Sequence, residues 1–547
     1  MFKRLKIYGP ALVLLIGLGA LVWTTAFPTV EARIADDAPR EIHQPHRDVI
    51  EQVNSWYEQS WQSQGFVRAK FADDLTILRR LSLALHGTVP SLEEIRRFEA
   101  DRRPQRLALW CQEMLADSRY GDYFAERLTR AFVGTQQQPF LVFRRDRFKN
   151  WIAEQIQDNR PYNEVIREII GKEGLWTGDP ATNFVTHAVN DGDIDENKLA
   201  GKTVRAVLGQ RIDCAQCHDH PFADWKQQQF EQLAAFYGQT RISPFGVTDD
   251  PKAVYEIEDT RTLEDRQVSP AVPFNPEWKP ESGTRREQLA AWCTSPDNRR
   301  FARAAVNRIW AQMFGKAWSE GAPYYARIDD LPDPEPDVEV DPIPLDMLAD
   351  AFVESGFNVA EMVQTIAALD VFRLSSATDV PDDELKEHVD HWAVFPLVRL
   401  RPEQIVGSMM QATSIKTLDQ NSHLLTRTLR LINENDFLNE YGDLGADEFE
   451  ERSGTVPQAL LRMNGRLFGD SIKPNPLNAT PRIAIAAGSP EVLLETCFLT
   501  CLTRRPSGAE AQYFLNEWTE QNNQKSGGQA YDLYWILINS PEFSWNH

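Results

Sequence analysis

Two cysteines and two histidines share the stretch Cys214-Ala215-Gln216-Cys217-His218-Asp219-His220-Pro221-Phe222, in a chain with only six cysteines and ten histidines. Two thiols three positions apart, followed at once by an imidazole, can bond both vinyl groups of a haem and place the imidazole under its iron. From composition alone such a triplet arises with a chance of about one in a thousand. Two other chemistries use the same atoms. A CxxC pair in an exported chain can close a small disulfide. Cys214, Cys217, His218 and His220 can also be written as four zinc ligands, but such sites draw on two separated ligand pairs, and the sequence has no second CxxC or HxxxH.

A haem would leave the far side of its iron to be filled. His220 follows His218 too closely to reach that side and reads instead as a support for Asp219 or a propionate. His187 is the distal candidate, with Met313, Met409, Met410 and Met463 behind it, although a methionine at helical spacing is by default core. An open sixth position would favour small-molecule chemistry over electron transfer alone. Arg205 and Arg211 flank the approach to the motif and are candidates to pair with haem propionates. Asp191-Gly192-Asp193-Ile194-Asp195 resembles the start of a calcium loop but fails it at Glu196 and Lys202. Cys497 and Cys501 read as small buried side chains, and Cys111 and Cys293 are open to pairing. No catalytic residue is singled out: GxSxG, HExxH and a phosphate-binding glycine loop are all missing from the sequence.

The elements that must position this motif are helices. Leu199, Val204, Val207, Leu208 and Ile212 recur at helical spacing and predict a helix from about 196 to 212 that runs straight into the cysteines. A second helix, from about Trp225, leaves them, so the motif is a turn between two packed helices. Asp73 and Asp74 cap a run carrying Leu75, Leu78, Leu81 and Leu85 that stops at Gly87, and Ser91 with Glu94 forms a capping box. Between about 239 and 283 the helical pattern gives way to Pro, Asp, Val and Thr, with "AVYEIED" as a short strand. Helical patterns then resume to the end. The acidic, proline-rich "DDLPDPEPDVEVD" at 329–341 reads as a solvated loop that does no chemistry. The expected organisation is a mainly α protein: a helical hydrophobic segment and tether over 1–45, a helical domain carrying the motif over 46–240, a connecting segment over 241–283 and a second helical domain over 284–547.

Whole-chain properties narrow the function. With 80 acidic against 58 basic side chains the net charge is −22, so phosphate would be repelled rather than neutralised, which argues against a general nucleic-acid binder. Lys3, Arg4 and Lys6 precede an uncharged apolar run from Ala11 to Phe27, near the lower length limit for a bilayer-spanning helix and the upper limit for a signal-peptide core. The positive flank predicts that everything after Phe27 is exported. Residues 11–27 are thus expected to anchor the chain in the inner membrane with its body in the periplasm, the alternative being secretion after cleavage near Val30-Glu31-Ala32. Covalent haem attachment takes place on that side of the membrane in bacteria.

Longer stretches add a resemblance. "LRRLSLALHGTVPSLEEIRRFEAD", "LADSRYGDYFAERL", "GDPATNF" and "VLGQRIDCAQCHDHPFADWKQQQFEQLAAFY" resemble the planctomycete cytochrome-c-associated domain of unknown function, whose members carry C-x-x-C-H-x-H-P-F/L in this setting. "SPDNRRFARAAVNRIWAQMFGK", "DMLADAFVESGFNVAEMVQTI", "LRPEQI", "ALLRMNG", "LTRRP" and "NSPEFSWNH" resemble the companion domain of unknown function that usually follows it. The resemblance implies an exported haem protein and no established reaction. It has two departures. Pro342-Ile343-Pro344 replaces a usual His-Pro-Glu, and Gly407 replaces a usual acidic residue, which removes support for a catalytic second domain. The resulting expectation is one covalent haem c on Cys214 and Cys217 with His218 as axial ligand, in a protein of electron transfer or redox chemistry. Its partners would be a periplasmic redox protein or a small-molecule substrate. The competing expectation is a haem-free structural or binding module of a cell-envelope complex in which CxxC is a disulfide.

Overall fold

The computed structural model describes residues 46–135, 143–190, 192–258, 264–319, 328, 329, 331, 342–418, 455–465, 472, 478–520 and 526–547. The apolar run at 11–27 lies outside them; among the described residues no helix is long and apolar enough to cross a membrane.

The architecture is mainly helical, with a few short strands. The first helices are α1 (Arg47–Gln64), α2 (Asp74–His86), α3 (Leu92–Ala100), α4 (Arg106–Ala116), α5 (Ser118–Val133), α6 (Arg145–Gln157) and α7 (Tyr162–Gly171). Asp73 starts α2 by accepting the amides of Leu75 and Thr76, and Gly87 ends it in the left-handed region at φ 68°. The Ser91–Glu94 capping box closes both ways at the start of α3, as the spacing predicts. A two-residue hairpin, β1 (Val189–Asn190) with β2 (Asp193–Ile194), leads into α8 (Glu196–Thr203), and α9 (Gln227–Ala234) follows the cysteine motif. The connecting segment then folds into two antiparallel hairpins, β3 (Thr240–Ser243) with β4 (Gly246–Asp249) and β5 (Tyr255–Glu258) with β6 (Asp265–Val268). The strand read in "AVYEIED" is β5.

Helices resume with α10 (Arg285–Cys293), α11 (Arg299–Phe314), α12 (Pro344–Glu354), α13 (Val359–Ala368) and α14 (Asp382–Asp390). The hydrophobic core does not divide at the connecting segment: one continuous cluster runs from Ile50 to Phe395. Helix α11 explains this. Every residue from Phe301 to Phe314 is buried, and Trp310 and Phe314 stack on each other beneath Trp392, Phe372 and Phe395. A helix buried on all sides, its Arg303, Asn307, Arg308 and Gln312 included, must be wrapped by neighbours from both halves of the chain. Arg286 ties the join further: fully buried, it bonds the Asp249 carboxylate and the carbonyls of Ile170 and Lys172 at 2.9–3.1 Å.

A second cluster begins at Leu400 and gathers α15 (Pro402–Ala412), α16 (Val456–Asn464), α17 (Ala479–Ala486), α18 (Pro490–Leu502), α19 (Gly508–Glu520) and α20 (Ser526–Asn539). It borrows Leu83 and Val89 from around the end of α2. The pairing of β7 (Val398–Arg399) with β8 (Trp545–Asn546) closes it. Gly407 acquires a reason here. A β-carbon at 407 would lie 2.8 Å from the Thr88 methyl and 3.2 Å from the Gly87 carbonyl, so α15 approaches the end of α2 only because residue 407 has no side chain.

Candidate functional site

The approach to the motif departs from a plain helix. Helix α8 ends at Thr203 and continues as a π-helical turn over Val204–Leu208, which stops at Gly209 in the left-handed region. The predicted extension to Ile212 fails because Gly209 turns the backbone into the left-handed region, where a side chain would be strained and its β-carbon would lie 3.0 Å from Ala304 and 3.1 Å from Leu331. Turns of this wider kind concentrate at functional positions.

The motif itself is a surface turn held from beneath. Asp213–Gln216 forms a single 3-10 turn. Ile212, Ala215 and Trp225 point into the core, whereas Cys214, Cys217, His218 and Phe222 are exposed, Phe222 to 93%. Both motif cysteines are free thiols, as are the four buried cysteines, Cys111, Cys293, Cys497 and Cys501. The loop closes on itself through the His220 amide, which donates to the Trp225 carbonyl at 2.8 Å. The Gln227 side chain donates to the Gln216 carbonyl.

The histidines divide by environment. The Nδ1 of His218 lies 2.7 Å from the Asp219 carbonyl oxygen. A carbonyl only accepts, so Nδ1 carries the proton and Nε2 keeps its lone pair for another partner. His220 accepts the Phe222 amide through its own Nδ1 at 3.2 Å, so it supports the turn, but Asp219 is held by other groups. The Asp219 carboxylate accepts the Gln227 amide at 3.0 Å and pairs with Lys226 at 3.5 Å. That amide, and then Lys226, holds the carboxyl below the usual range. His187, by contrast, is in the core at 1% exposure, beside Phe143 and Phe184. Its Nδ1 donates to the Phe184 carbonyl and its Nε2 has no partner among the described residues. Burial pushes its pKa down to about 3, so it is neutral. The structure therefore brings the two cysteines and His218 together on one turn and leaves His187 in a separate, dry setting. Met313 and Met409 are core residues at 1% exposure, and Met463 is at the surface.

Arg205 and Arg211 do converge, but on a residue of the chain. Both guanidinium groups bond the carboxylate of Asp329, Arg211 at 3.0 Å, and Asp329 is only 4% exposed. The Leu331 amide adds a bond to the Gly209 carbonyl at 2.8 Å. This overturns the reading of 329–341 as solvated throughout: its first residue is a buried counter-ion, while 332–341 lie outside the described residues. It also means that the two propionate candidates already hold an anion. Lys202, one turn before Arg205, enters the sequence reading only as a residue that breaks the calcium-loop pattern. It has no hydrogen-bond or ion-pair partner among the described residues, and burial and then Arg205 hold its pKa down. Its only sequence signal is its place on the helix face shared with Arg205.

The metal alternatives are weaker than the sequence left them. Among the described residues no group of three or more His, Cys, Asp or Glu side chains converges as a metal cage, so the four zinc donors written from the sequence do not close on one point. Asp195 of the calcium-like stretch instead caps α8 through the Lys198 amide at 2.9 Å, and Asp191 lies outside the described residues.

The fold and site thus define a mainly helical protein whose one CxxCH motif is presented on an exposed turn. Residues 52–242 match the family described as PSCyt2, protein of unknown function (DUF1549), and residues 285–518 match PSD1, protein of unknown function (DUF1553). The chain belongs to the family in which these two domains follow one another, the usual pairing. No curated protein and no solved structure matches it.

Proposed function

We propose that the chain is an exported c-type haem protein of periplasmic electron transfer or redox chemistry, anchored to the inner membrane through residues 11–27. Cys214 and Cys217 would carry one haem as thioethers, and His218 would be its axial ligand. A bound haem would supply one-electron redox chemistry. The observation that supports this most is the geometry of His218. Its Nδ1 proton is spent on the Asp219 carbonyl, which leaves Nε2 as the ligating atom, an arrangement metal-bound histidines favour. The exposure of both thiols supports it too, because attachment requires them within reach of the vinyl groups. The burial of Ile212, Ala215 and Trp225 on the other side of the turn leaves the two thiols and the imidazole facing outward. His187 and the arginines are not required by this reading.

The test is expression of the full chain with the cytochrome maturation machinery, followed by a haem-stained denaturing gel and a reduced pyridine spectrum. A stained band of the full chain that vanishes in Cys214→Ala and Cys217→Ala is expected. An unstained wild-type band whose mass is lower by two hydrogens than the reduced chain would replace the proposal with the disulfide-bearing structural module. Carbon monoxide added to the reduced protein then separates electron transfer from small-molecule chemistry, since only an open iron position takes the gas.

A further inference from the structure

We propose that Asp219 is the positioning residue of the motif: it anchors the loop to the start of α9 through its side chain and thereby fixes the tautomer and aim of the His218 imidazole through its main chain. The inference rests on the haem reading for its purpose, but its geometry stands without it. One residue does both jobs. The Asp219 carbonyl oxygen accepts the His218 Nδ1 proton at 2.7 Å. The Asp219 carboxylate accepts the amide of Gln227, the first residue of α9, at 3.0 Å, with Lys226 at 3.5 Å. That amide is one of the donors a helix start leaves without an internal partner, and Lys226 offers no side-chain acceptor for the amides that follow it. A carboxylate from the far side of the loop is therefore what ties residue 219 to the helix, with the helix dipole in its favour.

The direction of control follows from exposure. His218 and Asp219 are both at the surface, so water competes for the imidazole proton and the bond between neighbouring residues persists only if the backbone at 219 is held. The acceptor carbonyl of Asp219 shares its peptide unit with the His220 amide, which donates to the Trp225 carbonyl, and the Gln227 side chain holds the Gln216 carbonyl; the Asp219 carboxylate adds the tie that joins residue 219 itself to α9. The sequence of the turn thus has a role for the residue between the two histidines.

The experiment uses the haem-free full chain with nitrogen-15 histidine, and long-range proton–nitrogen spectra above the imidazole pKa, with the His218 signals identified by their loss in His218→Gln. In the wild type the Nδ1–H tautomer dominates. Asp219→Ala lowers the ratio of Nδ1–H to Nε2–H by about five-fold, the worth of one hydrogen bond. Asp219→Asn, which keeps an acceptor for the Gln227 amide, restores most of it. An unchanged ratio in Asp219→Ala overturns the proposal, as does a loss in Asp219→Asn equal to that in Asp219→Ala. A thermal melt shows whether either variant has lost its fold. If the wild type never takes haem but the ratio responds as stated, the haem reading fails and the positioning role stands. If haem attaches and the ratio is indifferent to residue 219, the opposite holds.

Discussion

Asp329→Ala tests the join between the motif's approach helix and the second half of the chain. Asp329 is almost fully buried and is bonded by the guanidinium groups of both Arg205 and Arg211. A hydrogen bond to a charged partner contributes about 1.5–3 kcal/mol, so losing two sets an upper range of about 3–6 kcal/mol. The arginine side chains keep 17% and 26% of their exposure, so water recovers part of this. A net loss of about 2–4 kcal/mol is expected. Lys202 works in the same direction, since Asp329 is one of the two carboxylates that favour its charge. The assay is urea unfolding of the full chain followed by tryptophan fluorescence: the midpoint falls while the slope stays unchanged. Asp329→Asn, which keeps the acceptors and loses the charge, falls between. Arg205→Met combined with Asp329→Ala costs less than the sum of the two single changes, because both remove the same contact. A loss under about 0.5 kcal/mol, or strict additivity with Arg205→Met, would refute the view that Asp329 is the structural counter-ion of this turn.

Three further outcomes are expected. Gly407→Ala forces a β-carbon into the Thr88 methyl and lowers stability by about 1–3 kcal/mol in a denaturant melt, and Gly407→Asp by more; a neutral Gly407→Asp would mean that α15 can move away from the end of α2. His86 is buried with its pKa pushed down from 6.5 to about 4 by burial and then by Arg119, so the fold favours its neutral form. The sign follows: the unfolded chain binds the proton first, and up to about 3 kcal/mol of stability, full above pH 6.5, is lost as pH falls toward 4. In His86→Gln the stability–pH curve over that window flattens by up to one proton, and an unchanged slope would show that His86 is not the group responsible. In the haem-free, reduced protein Cys214 and Cys217 react rapidly with a maleimide while Cys111, Cys293, Cys497 and Cys501 react only on unfolding, as counted by mass; early labelling of any of the last four contradicts their burial.

Much of the local structure was legible because its causes are local. The cap at Asp73, the box at Ser91 and Glu94, and the stop at Gly87 each involve residues within a few positions of one another, and helical spacing of leucines predicted the faces that are buried. The position of the motif between two helices followed from the same periodicity. The helix into the motif is shorter than the apolar spacing predicts because Gly209 stops it in the left-handed region, as Gly87 stops α2, and the apolar period running on to Ile212 outweighs that local signal in the sequence. Arg205 and Arg211 look free for a ligand in sequence because their partner is 124 and 118 residues away.

By itself, then, the sequence determined the helical class, the CxxCH chemistry available to Cys214, Cys217 and His218, and the membership that its longer stretches resemble. Tertiary structure alone decided that the core runs through the connecting segment, that His187 is locked in a dry interior, that an aspartate of an acidic loop is a buried counter-ion, and that Asp219 clamps the turn to α9. The physical reason is range. Propensity, capping and donor spacing act over one or two turns of chain, whereas burial and charge pairing are settled by which distant segments pack together.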